Sequence, residues 1–520
     1  MWGRLGDLLR LMKAGRTLAR YDALLLPEQV EQLPWPARLG LRLAKFGTRS
    51  PDADAQSRLT MALSSLGPSY IKLGQFLATR PDVVGPKRAF ELKALQDRLP
   101  PFPQDEARAI VSANLGGPVE QFFAEFGPPV AAASIAQVHR ARTSDGRDVA
   151  VKVLRPGVEK RFAADLSSFY FAARIMERTG AEGRRLRPVD AVAMLEQSMK
   201  LELDLRMEAS AISEMRENTK DDRGFRLPVV DWPRTARQVL TTEWIDGTPI
   251  SEIVSLKAQG FDLDALADTV IQSFLRHAIR DGFFHADMHQ GNLFVDRSGN
   301  LVAVDFGITG RLNAKERLFL AEILYGFITR DYLRVSQVHF DAGYVPAHQD
   351  VATFAQAIRA IGEPIMDRPA GEISMARLLT QLFEVTAQFD MTTQPQLLLL
   401  QKTMVVVEGV ARTLNPDLNM WKTSEPVVRS WIERQLGPVG RVETMVETLG
   451  KMASALPALL DETKAGADVL SRLADGGGIR LDPETTNALA KAQARETRWT
   501  RYALAAGALA LVVIAWRLLA

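Results

Sequence analysis

The stretch that decides the fold of this chain is His285-Ala286-Asp287-Met288-His289-Gln290-Gly291-Asn292, followed a short way on by Val304-Asp305-Phe306-Gly307. Asn292 lies five residues after Asp287, and Asp305 begins a D-F-G sequence. Phosphoryl transfer needs these residue types, because one carboxylate orients the attacking hydroxyl while an amide oxygen and a second carboxylate hold Mg²⁺ on the phosphates. The spacing therefore predicts a site for ATP or ADP with Mg²⁺, with Asp287 as the catalytic carboxylate and Asn292 and Asp305 as metal ligands.

The segments around these motifs are also of the kind that a protein-kinase-type site requires. Apolar runs on either side of the turn Ser298-Gly299-Asn300 indicate a hairpin, which would bring Asn292 and Asp305 to neighbouring strand ends. Upstream, residues 265–281 carry apolar side chains at helical spacing, as expected for a helix that leads into a catalytic loop. A D-F-G sequence alone would favour an ordinary turn after a buried strand, so the prediction depends on this surrounding pattern.

A lysine that contacts the phosphates is expected upstream, and Lys152 supplies one in the alternating β-type segment Asp148–Leu154. A lysine at the end of an apolar strand is more often a solvated edge residue, but this one precedes the catalytic loop in the order that kinases have. The glycine-rich loop that should precede it is replaced by an alanine-rich segment, which would be stiffer because alanine does not reach positive φ cheaply. The nucleotide contacts predicted in this segment are Val130, Ala131, Ala132, Ala133, Ser134, Ile135, Ala136, Gln137 and Val138.

A hinge for the adenine ring is predicted in the β-type run Gln238–Gly247, which ends at a glycine turn. The backbone groups of Glu243, Trp244 and Ile245 would lie near the base. Trp244 could equally be a core residue, and the sequence leaves that alternative open.

At this point the chain resembles the UbiB-like atypical kinases, a family of kinase-like proteins linked to ubiquinone biosynthesis. The resemblance covers roughly residues 60–330 and rests on several motifs together. Tyr70–Gln75 matches the K-x-G-Q signature of the family, Glu202-Leu203-Asp204 its E-x-D signature, and Ala131–His139 its alanine-rich loop. The resemblance implies an α+β, atypical protein-kinase-like two-lobed fold with a helical N-terminal extension.

The same resemblance implies that Lys152 pairs with Glu208 and that Lys72 pairs with Glu202. A single helix is predicted over Val189–Arg216, and residues six positions apart on one helix point in different directions, so two separate lysine partners are expected. Without the resemblance, Lys72, Glu202 and Glu208 would be interpreted as solvated helix charges.

The K-x-G-Q segment is expected to lie across the nucleotide cleft and to gate it, together with the E-x-D segment that contains Asp204. Gln75 would orient a water or a small group near the γ-phosphate. By resemblance, such a narrowed site favours small-molecule or lipid-coupled ATP chemistry over phosphorylation of protein side chains. No A-P-E sequence follows Asp305 to close an activation loop, so the usual platform for a peptide substrate is also missing.

The composition excludes some classes of function. A net charge of +2 over 520 residues gives no argument for nucleic-acid binding, and the absence of cysteine excludes disulfides and cysteine-ligated metals. Basic character is concentrated near the N-terminus, where Leu5, Leu8, Leu9 and Met12 recur at helical spacing among arginines and lysines. This pattern is typical of a helix on an anionic membrane surface, of a helix packed on the core, or, less favoured, of a transit peptide.

At the C-terminus, Tyr502–Ala520 is apolar except for one arginine and is long enough for a transmembrane helix. Arg495, Arg498 and Arg501 before it predict that the main domain faces the cytoplasm, which by resemblance means the bacterial cell inner membrane. A single span and a shallow re-entrant segment remain alternatives. Ala503 and Gly507 form a small-residue pair compatible with a homodimer, although the signal is weak in an alanine-rich helix.

These features predict six segments along the chain. They are basic amphipathic helices (1–60), the K-x-G-Q extension (61–125), a kinase-like N-lobe (126–245), a helical C-lobe (246–470), a flexible linker (471–498) and a transmembrane anchor (499–520).

Three functional hypotheses follow. The first is a membrane-anchored atypical kinase or ATPase that supports ubiquinone biosynthesis, with membrane lipids, quinone precursors and other enzymes of that biosynthesis as partners. The second is a nucleotide-gated scaffold without catalysis, which the complete set of catalytic residues disfavours. The third is a small-molecule phosphotransferase of the aminoglycoside or choline kinase type, against which the K-x-G-Q and E-x-D signatures argue.

Overall fold

The computed structural model describes residues 2–21, 55–78, 99–178, 187–366 and 395–436, with a few isolated positions between these ranges. Contacts divide the chain into two units, Met1–Glu433 and Arg434–Ala520. The predicted linker (471–498) and membrane span (502–520), with the small-residue pair in that span, lie outside the described residues. Of the helices in the described ranges, none is long and apolar enough to cross a membrane. The described part has the predicted mixture of helices and sheets.

In the described ranges before the lobes, the structure has the helices α1 (Trp2–Arg20), α2 (Ala55–Leu66) and α3 (Pro68–Ala78). Helix α3 carries the K-x-G-Q sequence, and its Ile71 and Lys72 are buried. Gly74 is required for this packing, because a Cβ atom there would lie 2.6 Å from Leu95 and 2.8 Å from Leu63. The extension is therefore packed tightly on its neighbours.

The N-lobe is built around an antiparallel sheet. One face of its third strand carries Val149, Val151 and Val153, which are buried against the helix that precedes the sheet. The alternation of side chains along the strand turns Lys152 to the opposite face. The elements are α4 (Gln104–Leu115), α5 (Val119–Phe122), β1 (Phe123–Ala132), β2 (Ala136–Thr143) and β3 (Asp148–Leu154), and the fourth strand of the sheet follows later in the chain.

Among the described residues between β3 and that fourth strand are the helices α6 (Val158–Arg178), α7 (Pro188–Glu202) and α8 (Leu205–Asn218). The prediction of one helix over Val189–Arg216 is wrong, because the helix stops after Glu202 and a new one begins at Leu205. Asp204 causes the break. It is extended (φ −119°, ψ 95°), and its side chain accepts a hydrogen bond from the Arg206 N–H, so it acts as the N-cap of α8.

Helix α1 packs on α6 through its polar and small residues. Asp7 is buried and accepts hydrogen bonds from the hydroxyls of Ser167 (3.0 Å) and Ser168 (3.4 Å) of α6. The predicted apolar face, from Leu5 to Met12, remains 45–61% exposed. The structure therefore shows a packed helix that also presents an apolar face outward.

The remaining elements complete the N-lobe sheet and form the C-lobe. The strands are β4 (Phe225–Arg226), β5 (Val239–Glu243), β6 (Gly247–Pro249), β7 (Phe283–His285), β8 (Leu293–Asp296), β9 (Leu301–Ala303) and β10 (Thr309–Arg311). The N-lobe sheet has the order β1-β2-β3-β5, the C-lobe has a second sheet of order β4-β9-β8-β6, and β10 pairs with β7. The predicted hairpin is confirmed as β8 and β9.

Helices make up the rest of the described C-lobe. The predicted helix before the catalytic loop is confirmed, with Val270, Phe274 and Ala278 fully buried, and its last turn, His277–Asp281, widens to a π-helix. The helices are α9 (Ile253–Ala258), α10 (Leu263–Arg276), α11 (Ala314–Ile328), α12 (Tyr332–Asp341), α13 (Val351–Met366), α14 (Pro395–Leu414) and α15 (Met420–Leu436).

Candidate nucleotide site

The predicted phosphate lysine is held between two carboxylates from different elements. Lys152 Nζ lies 2.9 and 3.0 Å from the two carboxylate oxygens of Glu208 on α8, and 3.0 Å from Oδ1 of Asp305. The predicted pairing of Lys152 with Glu208 is thereby confirmed. Strand β3, helix α8 and the D-F-G segment meet at this lysine, so the side chains expected to hold the phosphates and the metal lie together.

The charges of this cluster are coupled. Desolvation in the cleft raises the pKa of Asp305, but the Lys152 ammonium outweighs it and lowers that pKa to about 2. Desolvation lowers the pKa of Lys152, but the two carboxylates outweigh this effect and raise that pKa above its usual range. Burial raises the pKa of Glu208, and Lys152 opposes that rise. At neutral pH Asp305 is therefore an anion and Lys152 a cation, as binding of Mg²⁺ and phosphates requires.

The backbone of Asp305 is in the left-handed region, with φ +61°. Aspartate tolerates this conformation better than most side chains, and the Gly307 N–H donates locally to Asp305 Oδ1 at 3.3 Å. Phe306 is buried, with its ring centroid 4.5 Å from that of His285. The D-F-G segment is therefore anchored by its phenylalanine while the carboxylate faces Lys152.

His285 fixes the start of the catalytic loop. The Asp287 N–H donates to His285 Nδ1 at 3.1 Å, so the ring proton is on Nε2, which donates to the Val304 carbonyl at 3.1 Å. Burial lowers the pKa of His285, which keeps the ring neutral in this arrangement. One imidazole thus connects the loop that carries Asp287 to the strand end that carries Asp305.

The amide of Asn292 is oriented by its own loop. Its Nδ2 donates to the Asp287 carbonyl at 3.0 Å, and its backbone carbonyl accepts from the Val304 N–H at 2.9 Å. The side-chain oxygen of Asn292 is left as the group that could bind a metal, together with Asp305. Within the described residues no group of three or more histidines, cysteines, aspartates and glutamates could hold a metal alone. Two protein oxygens fit a Mg²⁺ ion whose remaining ligands are phosphate oxygens and water.

A helix far along the chain supports this loop, although no sequence motif marks it. The hydroxyl of the buried Thr403 of α14 shares its one proton between the Ala286 carbonyl at 3.0 Å and the Leu399 carbonyl of its own helix at 2.8 Å. Near the end of the same helix, Thr413 Oγ1 accepts from the Gln290 side chain at 3.0 Å. A threonine inside an apolar helix gives no signal of its own, so this contact could be found only from the tertiary structure.

The alanine-rich segment forms a hairpin and not an extended loop. Val130–Ala132 belong to β1 and Ala136–Val138 to β2, which leaves Ala133–Ile135 as the turn. The Ala133 carbonyl accepts from the Arg155 side chain (3.0 Å), and the Ala133 N–H donates to the Ala136 carbonyl (2.8 Å). The turn is therefore held rigidly, as the lack of glycine predicts.

Two side chains of this hairpin have different surroundings. Ser134 at the turn is fully buried, and its hydroxyl has no hydrogen-bond partner among the described residues. An unsatisfied buried hydroxyl at this position fits a site that a phosphate would complete. Gln137 is instead engaged inside the lobe, since its side chain accepts from the Phe102 N–H (2.8 Å) and donates to the Phe102 carbonyl (3.2 Å). The side chain of Gln137 is therefore directed to Phe102, and its contact with nucleotide stays a prediction for the backbone of the segment.

The predicted hinge is partly occupied by bonds within the protein. The Glu243 N–H donates to the Val229 carbonyl (2.8 Å) and the Trp244 N–H to the Asp148 carbonyl (3.1 Å). Of the three predicted residues, Ile245 has the N–H without an intramolecular partner among the described residues. Trp244 is half-buried beneath the guanidinium of Arg140, at 5.0 Å, and is not a core residue.

The predicted pairing of the K-x-G-Q and E-x-D signatures is confirmed. Lys72 Nζ lies 2.6 Å from Glu202 Oε2, and Gln75 is half-buried one turn further along α3. Asp204, predicted to belong to the same gating set, instead caps α8 and pairs with Arg206 at 2.6 Å. The two acids of the E-x-D signature thus have different tasks, since one binds the extension and the other starts the helix that carries Glu208.

The chain matches known families and proteins over most of its length. Residues 94–339 match the ABC1 atypical kinase-like domain, and residues 358–419 match the UbiB helical domain, which includes Thr403. A protein of Marinobacter nauticus called "Probable protein kinase UbiB" is 39% identical over 503 residues, 95% of this chain and 91% of that protein. A protein of the same name from Pseudomonas putida is 40% identical over 465 residues, 87% of this chain and 86% of that protein. A solved structure of Rv3197 with erythromycin, from Mycobacterium tuberculosis, is 24% identical with a TM-score of 0.49, over 75% of this chain and 97% of that one.

Proposed function

Because this chain belongs to the UbiB family and carries its ABC1 atypical kinase-like domain, we propose that it is a Mg²⁺-dependent ATPase of the kinase type that supports ubiquinone biosynthesis. The observation that carries the proposal is the cluster of Lys152, Glu208 and Asp305, with all three contacts at 2.9–3.0 Å. A scaffold that only bound nucleotide would not need a catalytic carboxylate as well, and Asp287 is present on a loop that His285 holds through the Asp287 N–H.

Mg-ATP supplies the γ-phosphoryl group and the cation that neutralises its charge. Lys152, held by Glu208, would contact the phosphates, while Asp305 and the side-chain oxygen of Asn292 would hold the metal. Asp287 would orient the attacking oxygen and accept its proton. The buried Ser134 hydroxyl would donate to a phosphate oxygen, and the rigid turn around it would take the place of a glycine-rich loop.

The acceptor is proposed to be water or a small lipid-coupled group. Only eight residues separate Asp305 from the start of α11 at Ala314, and strand β10 occupies the middle of that interval. This leaves no length for an activation segment that could hold a peptide substrate. The buried Lys72–Glu202 pair further fixes the N-terminal extension next to the N-lobe helices.

The proposed location is the cytoplasmic face of the bacterial inner membrane, with the C-terminal segment as the anchor. Support comes from the exposed apolar face of α1, from Leu5 to Met12, which has Arg10, Lys13 and Arg16 on the same helix. Cations beside exposed apolar side chains are typical of helices that contact anionic lipids. Membrane lipids, quinone precursors and other enzymes of ubiquinone biosynthesis are the proposed partners, and the protein is compatible with a homodimer.

The proposed activity is tested by measuring Mg²⁺-dependent ATP hydrolysis of the full-length protein in lipid vesicles. The variants Asp287→Asn and Asp305→Asn separate turnover from metal binding. Loss of turnover in both variants, with nucleotide binding retained only in Asp287→Asn, is the expected result.

A further inference from the structure

A groove of about 400 Å³ lies between α6 and α7, on residues that have no part in the nucleotide site. Each helix contributes one stripe of side chains spaced three or four residues apart, so the two helix faces form opposite walls. Volumes in this range are typical of sites for small molecules. The apolar walls consist of Phe162, Ala163 and Leu166 of α6 and Met199 and Leu203 at the end of α7.

The charged side chains at the edge of the groove are already paired with one another. Glu196 accepts from the Tyr170 hydroxyl at 2.6 Å and lies 2.7 Å from Lys200 Nζ. Glu159 accepts from Arg237 at 2.9 Å. An ionic ligand would have to break one of these pairs, whereas an uncharged apolar ligand would cover the walls and leave the pairs intact. The chemistry of the groove therefore favours a neutral apolar molecule, such as an aliphatic chain.

The groove lies next to the segment that carries Glu202 and Glu208, the partners of Lys72 and Lys152. Two of its wall residues, Met199 and Leu203, flank Glu202, the partner of Lys72. The backbone carbonyl of Arg237, also at the groove, accepts from the N–H of Leu205 at 2.9 Å, where α8 begins. A ligand between α6 and α7 would therefore contact the last turn of α7 directly.

We propose that this groove is a regulatory site for a neutral apolar small molecule, and that its occupancy holds the Lys72–Glu202 pair closed. A ligand stabilises the conformation to which it binds, and the groove is formed in the conformation in which this pair is made. Because the closed pair keeps the K-x-G-Q extension fixed next to the N-lobe helices, the ligand restricts movement of the extension and thereby lowers ATP turnover. This regulation rests on the proposed ATPase activity, but the binding site itself does not.

Binding is measured first, without nucleotide, by saturation-transfer NMR with 1-octanol as the probe. The wild-type protein is expected to bind 1-octanol saturably and to bind octanoate, its charged counterpart, much more weakly. Ala163→Trp, which fills the groove from its exposed edge, should abolish the signal, while Ile175→Trp on the exposed face of the same helix should retain it. If Ala163→Trp lowers the melting temperature more than Ile175→Trp does, Ala163→Gln is used as the blocking variant in its place. Equal 1-octanol binding by the position-163 and control variants, or no saturable binding, overturns the site.

Regulation is measured second, as ATP hydrolysis at saturating 1-octanol. Hydrolysis by the wild-type protein and by Ile175→Trp should fall about five-fold, at the low end of ordinary coupling between two sites. Ala163→Trp should not respond. Lys72→Ala should still bind 1-octanol and should no longer be inhibited, because the pair that the ligand holds is absent. Binding without inhibition in the wild type, or inhibition that persists in Lys72→Ala, overturns the regulation. Absence of hydrolysis without 1-octanol contradicts the proposed function instead, and the NMR result still decides the binding site.

Discussion

Lys72 Nζ lies 2.6 Å from Glu202 Oε2, and the two side chains are only 9% and 11% exposed. Six residues further on, Glu208 binds Lys152 at 2.9 Å. Between the two acids, Asp204 ends one helix and caps the next. The Lys72–Glu202 pair and the Lys152–Glu208 pair are thus joined by one short turn. A change in the Lys72–Glu202 pair can therefore displace Glu208 and alter its contact with Lys152.

Loss of the Lys72–Glu202 pair is expected to release the extension. Lys72→Ala leaves a largely buried carboxylate at Glu202 and should lower the free energy of unfolding by about 3–5 kcal/mol. It should also permit autophosphorylation, because Lys152 and Asp287 remain. Glu202→Ala should act in the same direction, and the double variant should be little worse than either single variant. Autophosphorylation and urea unfolding check this, with the exposed Lys160→Ala as the control. Additive effects would show that Lys72 is not paired functionally with Glu202.

The hydroxyl of Thr403 is expected to position the catalytic loop. Thr403→Val keeps the shape of the side chain and leaves the Ala286 carbonyl without its bond, at a cost of about 1–3 kcal/mol. Because Ala286 precedes Asp287, the rate constant kcat should fall roughly ten-fold while the KM for ATP stays nearly constant. Thr269→Val is the control, since that half-buried threonine bonds only to its own helix at the Ala265 carbonyl. An unchanged kcat in Thr403→Val, or the same loss in both variants, would contradict the positioning role.

Stability should fall as the pH drops below about 6.5, the usual pKa of a histidine in the unfolded chain. Burial lowers the pKa of His139, His277, His285 and His339. Below that pH the unfolded chain binds protons that the folded protein does not, so each group lowers the free energy of unfolding by up to roughly 1.4 kcal/mol per pH unit until its folded pKa is reached. Melting temperatures between pH 8 and pH 5.5 test this, with the variant His339→Gln expected to show a shallower decline. A midpoint independent of pH would contradict neutral burial of these rings.

Deletion of residues 499–520 should move much of the protein from the membrane to the soluble fraction. The helix α1 should keep a smaller part on the membrane, and high salt should release it, because its cations contribute to lipid binding. Fractionation of cell extracts at low and high salt measures both effects, with deletion of residues 471–492 as the control. A truncated protein that stays fully bound to the membrane at high salt would rule out the C-terminal anchor.

Much of the site follows from local patterns in the sequence. Alternation of apolar residues identified the strand that ends near Lys152, and the turn at Gly299 identified the hairpin that joins Asn292 to Asp305. The two lysine pairs required the resemblance to the family, because an isolated Lys72 or Glu202 is indistinguishable from a solvated helix charge. Their partners are 130 and 56 residues apart in sequence, a separation over which no periodicity carries information.

Other parts of the structure were predicted wrongly or could not be predicted, for identifiable physical reasons. The helix break at Asp204 was missed because apolar periodicity continues through it, although aspartate followed by a helical segment is an N-cap signal. Gln137 was predicted to contact nucleotide because it lies in the alanine-rich segment, yet the pleat of β2 turns its side chain toward Phe102. Thr403 depends on how a distant helix packs, which only the tertiary structure shows.

The most direct test compares nucleotide binding and ATP hydrolysis in Asp305→Asn and Asp287→Asn, with the exposed Asp264→Asn as the control. Asp305→Asn removes the charge that faces Lys152 and should lose Mg²⁺-dependent binding of ATP, measured by calorimetry. Asp287→Asn should bind Mg-ATP as the wild type does and lose hydrolysis by roughly three orders of magnitude or more, because the carboxylate acts on the attacking oxygen. Hydrolysis at the wild-type rate in both variants would show that this cleft is not the catalytic site.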